Sequence, residues 1–304
     1  MKTAVIFSGQ GAQHVGMGKD FTGEAAELFD RADAILPGAF KEVCFNGPAE
    51  KLTDTSYCQP ALFVHGLGLL AMLKKERPNF AFQAAAGLSL GEFTAHTAAE
   101  HFRFEDGLNL VATRGRLMQE ACLATKGGML SLIGATPEQA KALAAATNLE
   151  VANYNCPGQI VLSGAAANIA AAAEQGKAMG LKRALPLNVA GAYHSRLMKP
   201  AQDGLAPALA EVPISASAIA VYANVTGKRV VGDDEIRETL RRQVTGSVRW
   251  QECVEEMIRD GIEQFIELGP GKVLASMCKR INPNVPVVSI GSAAELATAL
   301  GEIK

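Results

Sequence analysis

Short apolar runs alternate with longer stretches of helical periodicity along almost the whole chain, and nothing else in the sequence restricts its fold as much. Strands separated by helices pair into a mostly parallel sheet with helices packed over it. Ala4 to Phe7 reads as a short buried strand, Glu24 to Leu36, Gln59 to Lys74 and Glu105 to Ala124 as helices, and Phe80 to Ala86 as a central strand among them. The alternation resumes with a helix from Ser195 to about Ala210 and a strand at Ile219 to Tyr222. Helices at Asp234 to Val244 and Trp250 to Asp260 follow, then a strand at Glu263 to Glu267, a helix after Gly269-Pro270-Gly271 and a last strand at Val285 to Val288.

Between these halves the texture changes. Met129 to Gly134 alternates like a strand, and Thr136-Pro137-Glu138-Gln139 supplies an N-cap, an N1 proline and an N3 glutamine for a helix reaching about Thr147. Two short strands, Val151 to Asn153 and Gln159 to Ser163, flank a Tyr-Asn-Cys-Pro-Gly turn; an Ala-rich helix at Ala166 to Met179 and a strand at Lys182 to Asn188 complete the order βαββαβ. That order is the ferredoxin-like unit. The expectation is an α/β protein: a large, mostly parallel-sheet body from residues 1–126 and 192–304, interrupted by a small ferredoxin-like subdomain at 127–191. A length of 304 residues, near the limit for one hydrophobic core, suits a large domain with a satellite.

Composition removes several classes of function. Twenty-nine Lys and Arg against 31 Asp and Glu leave a net charge of −2, without the basic excess of a dedicated nucleic-acid binder. The longest apolar candidate, Pro60 to Leu73, is broken by His65 and by glycines before it meets Lys74-Lys75-Glu76-Arg77, so no membrane span is expected. The N-terminal apolar run stops at Ser8-Gly9, too short for a signal peptide, so export is not expected and a cytoplasmic location is. Six cysteines at 44, 58, 122, 156, 253 and 278 form no CxxC and no zinc spacing, and read as buried reduced thiols.

Two motifs carry chemistry. Gly9-Gln10-Gly11-Ala12-Gln13 follows the first strand, but a dinucleotide fingerprint needs glycine where His14 stands. A phosphate loop starting at Gly11 needs lysine where Met17 stands, so both nucleotide readings fail. Gly87-Leu88-Ser89-Leu90-Gly91 lies between a strand and a helix, where a serine is forced outward and the helix N-terminus favours developing negative charge. Of the five histidines, His96 is two turns along the same helix as Ser89, and His65 reads as a satisfied core residue. His194, where the inserted unit returns to the body, is the candidate base. No histidine follows it, which disfavours an ordinary α/β-hydrolase with a late histidine.

Taken together, Ser8-Gly9-Gln10-Gly11-Ala12-Gln13, Gly87-Leu88-Ser89-Leu90-Gly91-Glu92, Arg114-Gly115, Ala192-Tyr193-His194-Ser195 and Glu267-Leu268-Gly269-Pro270-Gly271 resemble the malonyl-CoA:acyl carrier protein transacylases of bacterial fatty-acid synthesis. The resemblance implies an α/β-hydrolase-like body and a ping-pong acyl transfer without metal or cofactor. In it Ser89 is the nucleophile, His194 the base, oriented by the main-chain carbonyl of Gln243, and the N–H groups of Gln10 and Leu90 form the oxyanion hole. Arg114 pairs with the malonyl carboxylate, and the bulky Tyr193 favours malonyl over methylmalonyl. The implied partners are malonyl-CoA and acyl carrier protein, acting on a monomer. Lys182, Arg183, Lys279 and Arg280 are candidates for docking the acidic carrier. Glu92 reads as a helix-start acid that buttresses the nucleophile turn. Leu88 and Ser8 depart from the family's usual histidine and proline. Other readings in the same chemistry are a malonyl transacylase subunit of malonate decarboxylase, a polyketide acyltransferase, or an editing acyl hydrolase; a non-catalytic scaffold would have no need of Ser89, His194 and Arg114 together.

Overall fold

The computed structural model describes all residues from Met1 to Lys304. Its strands are β1 (Thr3–Phe7), β2 (Ala84–Gly87), β3 (Gly127–Ile133), β4 (Glu150–Cys156), β5 (Gln159–Ala165), β6 (Arg183–Pro186), β7 (Ala220–Ala223), β8 (Lys228–Arg229), β9 (Gln264–Leu268) and β10 (Val287–Ile290). The body sheet runs β10-β9-β1-β2-β7-β8, parallel from β10 to β7, with β8 added antiparallel at the edge. Helices cover both faces, so β1 and β9 are buried along their whole length, as strands of a doubly covered parallel sheet must be. Their side chains divide by parity. Val5, Phe7, Ile266 and Leu268 enter one core, and Ala4, Ile6 and Phe265 enter the other.

The second sheet, β4-β5-β3-β6, is antiparallel throughout. Helices Pro137–Ala146 and Ala166–Ala178 cover one face, burying Leu143, Ile169 and Ala172 against Leu130, Leu132, Ile160 and Leu162. The Thr136–Gln139 capping box forms as the sequence predicts, each side chain bonding the other residue's backbone N–H. Met129, Ala152 and Val161 on the opposite face belong to the main core. The insert is also tied to the body through the backbone, where Val248 N–H donates to Ala152 O and Tyr154 N–H donates to Val248 O, each at 2.8 Å. It therefore does not hang as an independent satellite.

Several elements differ from the sequence reading. The strand expected at Phe80 to Ala86 is only Ala84–Gly87, with Phe80 and Phe82 stacked outside it. The helix expected from Gln59 starts at Thr55 and takes Pro60 into its second turn. This helix, Thr55–Glu76, is long and apolar enough on average to cross a membrane, contrary to the reading of its broken apolar run; 78% of its most apolar stretch is buried in the molecule, which is the reason for its composition. Helices Phe40–Asn46, Ala49–Thr53 and Ala293–Ala299 went unforeseen, being too short for a 3.6-residue period to register.

Candidate active site

The parallel strands aim their C-terminal ends at one edge of the sheet, where open α/β sheets bind ligands. Ser89 follows β2 there with φ 55°, a left-handed backbone that a non-glycine residue adopts only under strong constraint. The flanking glycines are steric requirements. A Cβ on Gly87 would lie 2.1 Å from Gly91 carbonyl carbon, and one on Gly91 would lie 2.3 Å from Phe7 O. Asn224, just beyond β7, holds the turn from below: Ser89 N–H donates to its Oδ1 at 2.6 Å and its Nδ2 donates to Gly87 O at 2.8 Å.

His194 also has a positive φ, 57°, and the turn that carries it is closed by Ser195 Oγ donating to Ala192 O at 2.7 Å. Its Nδ1 faces two acceptors, the carbonyls of Gln243 at 2.9 Å and Gly246 at 3.2 Å. Only the tautomer with hydrogen on Nδ1 satisfies them, which leaves Nε2 as an acceptor for Ser89 Oγ at 2.8 Å. Burial holds the imidazole pKa down at about 4, the nearby Arg114 charge adding to the effect and the two carbonyls opposing it. The ring is neutral at pH 7 and free to take a proton.

Arg114 is 1% exposed, and its hydrogen bonds go to neutral oxygens: Nη1 to Gln59 Oε1 at 2.6 Å, Nη2 to Ser89 Oγ and Gln243 Oε1 at 2.9 Å each. Phe93 lies beneath it, ring centroid 5.4 Å from the guanidinium carbon. Burial lowers its pKa to about 10, partly offset by Glu92, so it remains a cation. A buried guanidinium bonded to neutral groups retains a strong demand for a carboxylate. Glu92 is the carboxyl group whose charge, when ionised, reaches it. Its Oε2 accepts from Gln243 Nε2 at 2.8 Å and Asn224 N–H at 2.9 Å, and burial pushes its pKa up to about 7. The helix-start acid of the sequence reading is thus a buried hub beneath nucleophile and base.

Gln10 lies beside this group, its Nε2 3.4 Å from the Tyr193 hydroxyl. A Cβ on Gly9 would lie 2.6 Å from Leu88 O, so the turn after β1 packs directly on the nucleophile turn. Leu90 is the first residue of its helix, where an N–H has no partner within the helix. The Glu267 motif is structural: Glu267 accepts from Leu274 N–H, Ala275 N–H and Ser289 Oγ, capping helix Val273–Ile281. Ser8 is buried against Gly269, and Leu88 packs at the edge of the second core.

Residues 4–297 match the acyl transferase domain family. The chain belongs to that family. It is 36% identical to the malonyl CoA-acyl carrier protein transacylase of Bacillus subtilis over all of this chain and 98% of that one. The Staphylococcus aureus enzyme of the same name is 37% identical over 95% of both. Among solved structures, the malonyl CoA-acyl carrier protein transacylase of Clostridium perfringens superposes with a TM-score of 0.94 at 37% identity, covering 99% of this chain and 97% of that one. A malonyl-transacylase solved with its type II polyketide acyl-carrier protein gives 0.94 at 34% identity, covering 100% of both chains.

In this acyltransferase Ser89, His194, Arg114, Gln10, Leu90, Tyr193 and Gln243 gather at one place, while Lys182, Arg183, Lys279 and Arg280 lie elsewhere and are exposed. Lys182 and Arg280 flank the contact between Gly134 and Gly158, and Arg280 donates to Pro157 O and Gln159 Oε1. Gly127, at the start of β3, packs on Ala192 in the turn that carries His194, and the contact lies past the other end of β3, about 20 Å away along a strand of this length. His65 is buried as expected but not satisfied, since neither ring nitrogen has a partner; it lies against Phe21 instead. His96 pairs with His101, their Nδ1 atoms 2.9 Å apart, and takes no part in the site. Asn224, Gln59 and Thr55 escaped the sequence reading. For Asn224 there was a signal, a polar residue at the C-terminal end of a parallel strand.

Proposed function

We propose that this acyltransferase moves a malonyl group from malonyl-CoA to the phosphopantetheine thiol of an acyl carrier protein through a malonyl ester on Ser89. The carrying observation is that one oxygen, Ser89 Oγ, meets both the His194 imidazole at 2.8 Å and the Arg114 guanidinium at 2.9 Å. His194 Nε2 takes the serine proton as Oγ attacks the thioester carbonyl. Collapse breaks the C–S bond, and the proton passes to the departing CoA sulfur. In the second half the carrier thiol gives its proton to His194, its sulfur attacks the ester, and Ser89 leaves with that proton. The N–H groups of Gln10 and Leu90 hold the oxyanion in both halves. Arg114 Nη2 exchanges its neutral acceptors, Ser89 Oγ and Gln243 Oε1, for the malonyl carboxylate while Nη1 stays on Gln59 Oε1, and so fixes the acyl group between the two halves.

Every proton in this scheme is accounted for by Ser89, His194 and the two thiols, and no metal or cofactor enters it. The reading places the enzyme in the cytoplasm as a monomer, with the carrier protein as its macromolecular partner. Intact-mass spectrometry after incubation with malonyl-CoA tests it: the wild type gains one malonyl group, on the peptide containing Ser89, and Ser89→Ala gains none and loses at least ~10³-fold in turnover. A wild-type protein that stays unmodified refutes the reading. Offering fatty-acid and polyketide carriers in parallel then identifies the acceptor.

A further inference from the structure

The carboxylate clamp accounts for Arg114 but not for the glycine that follows it. A Cβ on Gly115 would stand 2.7 Å from Thr55 O and 3.2 Å from Ser56 Cα. The glycine lets the first turn of helix Thr55–Glu76 lie against helix Phe104–Ala124 beside the guanidinium. Two side chains of helix Thr55–Glu76, both buried, then complete a chain of hydrogen bonds. Arg114 Nη1 donates to Gln59 Oε1 at 2.6 Å, Gln59 Nε2 to Thr55 Oγ1 at 2.7 Å, Thr55 Oγ1 to Gln10 Oε1 at 2.8 Å, and Gln10 Nε2 to the Tyr193 hydroxyl at 3.4 Å.

The direction of this chain is imposed from one end. A guanidinium has only donors, so Gln59 must turn its oxygen toward Arg114 and its amide nitrogen toward Thr55. The Thr55 hydroxyl, accepting there, sends its own hydrogen to Gln10 Oε1. Gln10 is then obliged to present Nε2 to Tyr193. Gln10 stands between Gly9 and Gly11, the latter at φ 108°, and glycines give the peptide little restraint of their own. The side-chain bond from Thr55 therefore adds to what holds the Gln10 peptide in place, beside the packing of Gly9 on Leu88 O and the bond from Gly11 N–H to Gln13 Oε1.

We infer that Thr55 is a positioning residue that ties the guanidinium receiving the acyl carboxylate to the turn receiving the oxyanion, so that carboxylate-bearing acyl groups meet a better-placed oxyanion donor than plain acyl groups. The inference rests on the malonyl reading above, which the Ser89 adduct in the wild type tests separately. Kinetics of Thr55→Val, Thr55→Ala and Thr55→Ser with malonyl-CoA and acetyl-CoA test the coupling itself, with melting curves to confirm folding. Valine removes the hydroxyl at constant shape, and alanine does so without a misplaced methyl. Both are expected to lower kcat with malonyl-CoA about 10-fold, with KM unchanged within about twofold, and to lower acetyl transfer by a smaller factor, so that the malonyl-to-acetyl kcat ratio falls several-fold. Serine restores the malonyl rate. A wild-type ratio of malonyl to acetyl kcat in both the valine and alanine enzymes overturns the inference, as does a serine enzyme as slow as the valine one.

Discussion

At the scale of single residues, the site depends on keeping His194 neutral and Arg114 charged within one buried cluster. Burial and the neighbouring guanidinium both disfavour the imidazolium, so the base stays competent well below the usual histidine range of about 6.5. The acid limb of kcat/KM is therefore expected below pH 6. Arg114→Ala removes the cation and should move that limb upward, while lowering malonyl kcat/KM by at least ~10²-fold through loss of the carboxylate partner. Stopped-flow acylation across pH, with acetyl-CoA as donor for the variant, measures the limb; a limb that stays in place or moves downward contradicts the electrostatic account. Ser89 and His194 could be singled out in the sequence from the Gly-Leu-Ser-Leu-Gly turn and by elimination among the histidines, and Arg114 through the family resemblance. Of the acceptors that define the His194 tautomer, Gln243 O was expected only through the family resemblance and Gly246 O not at all, because both are backbone atoms without a side-chain signature.

At the scale of elements, the nucleophile turn is a junction held by its neighbours. Ser89 keeps its left-handed backbone because Asn224 bonds on both sides of it and because Gln243 Nε2 donates to Ser89 O at 2.8 Å. Asn224→Ala would leave Ser89 N–H and Gly87 O without those partners at a buried site, costing about 1–3 kcal/mol of stability. The same loss should reduce turnover, because the strained serine relaxes. Asn224→Asp keeps the acceptor for Ser89 N–H but loses the donor to Gly87 O, and is expected to fall between. Urea unfolding with parallel acylation rates checks this; an alanine variant with wild-type stability and rate removes Asn224 from the account. The long helices and central strand were readable by period. The beginning of helix Thr55–Glu76 was not, because Pro60 and its polar neighbours gave no periodic signal while packing against Gly115 drew the first turn in.

At the scale of the whole molecule, a net charge of −2 conceals a local concentration of cations. Lys182 and Arg280 are far apart in sequence yet meet around Gly134 and Gly158, at the junction of insert and body. If this face receives an acidic carrier, Lys182→Glu with Arg183→Glu raises KM for carrier protein several-fold at low salt, less at high salt, with malonyl-CoA KM unchanged. A carrier KM that does not change excludes the face. The alternation of strands and helices, the βαββαβ insert, the nucleophile turn and the choice of His194 over the other histidines were determined by the sequence itself, since each rests on local periodicity, glycine placement or elimination. Tertiary structure decided what those methods cannot reach. It made Glu92 a buried hub, turned one face of the insert into main core, left His65 without partners, and linked Arg114 to Gln10 through Gln59 and Thr55. Each of these is a contact between elements distant in sequence, fixed by packing, and no single segment encodes it.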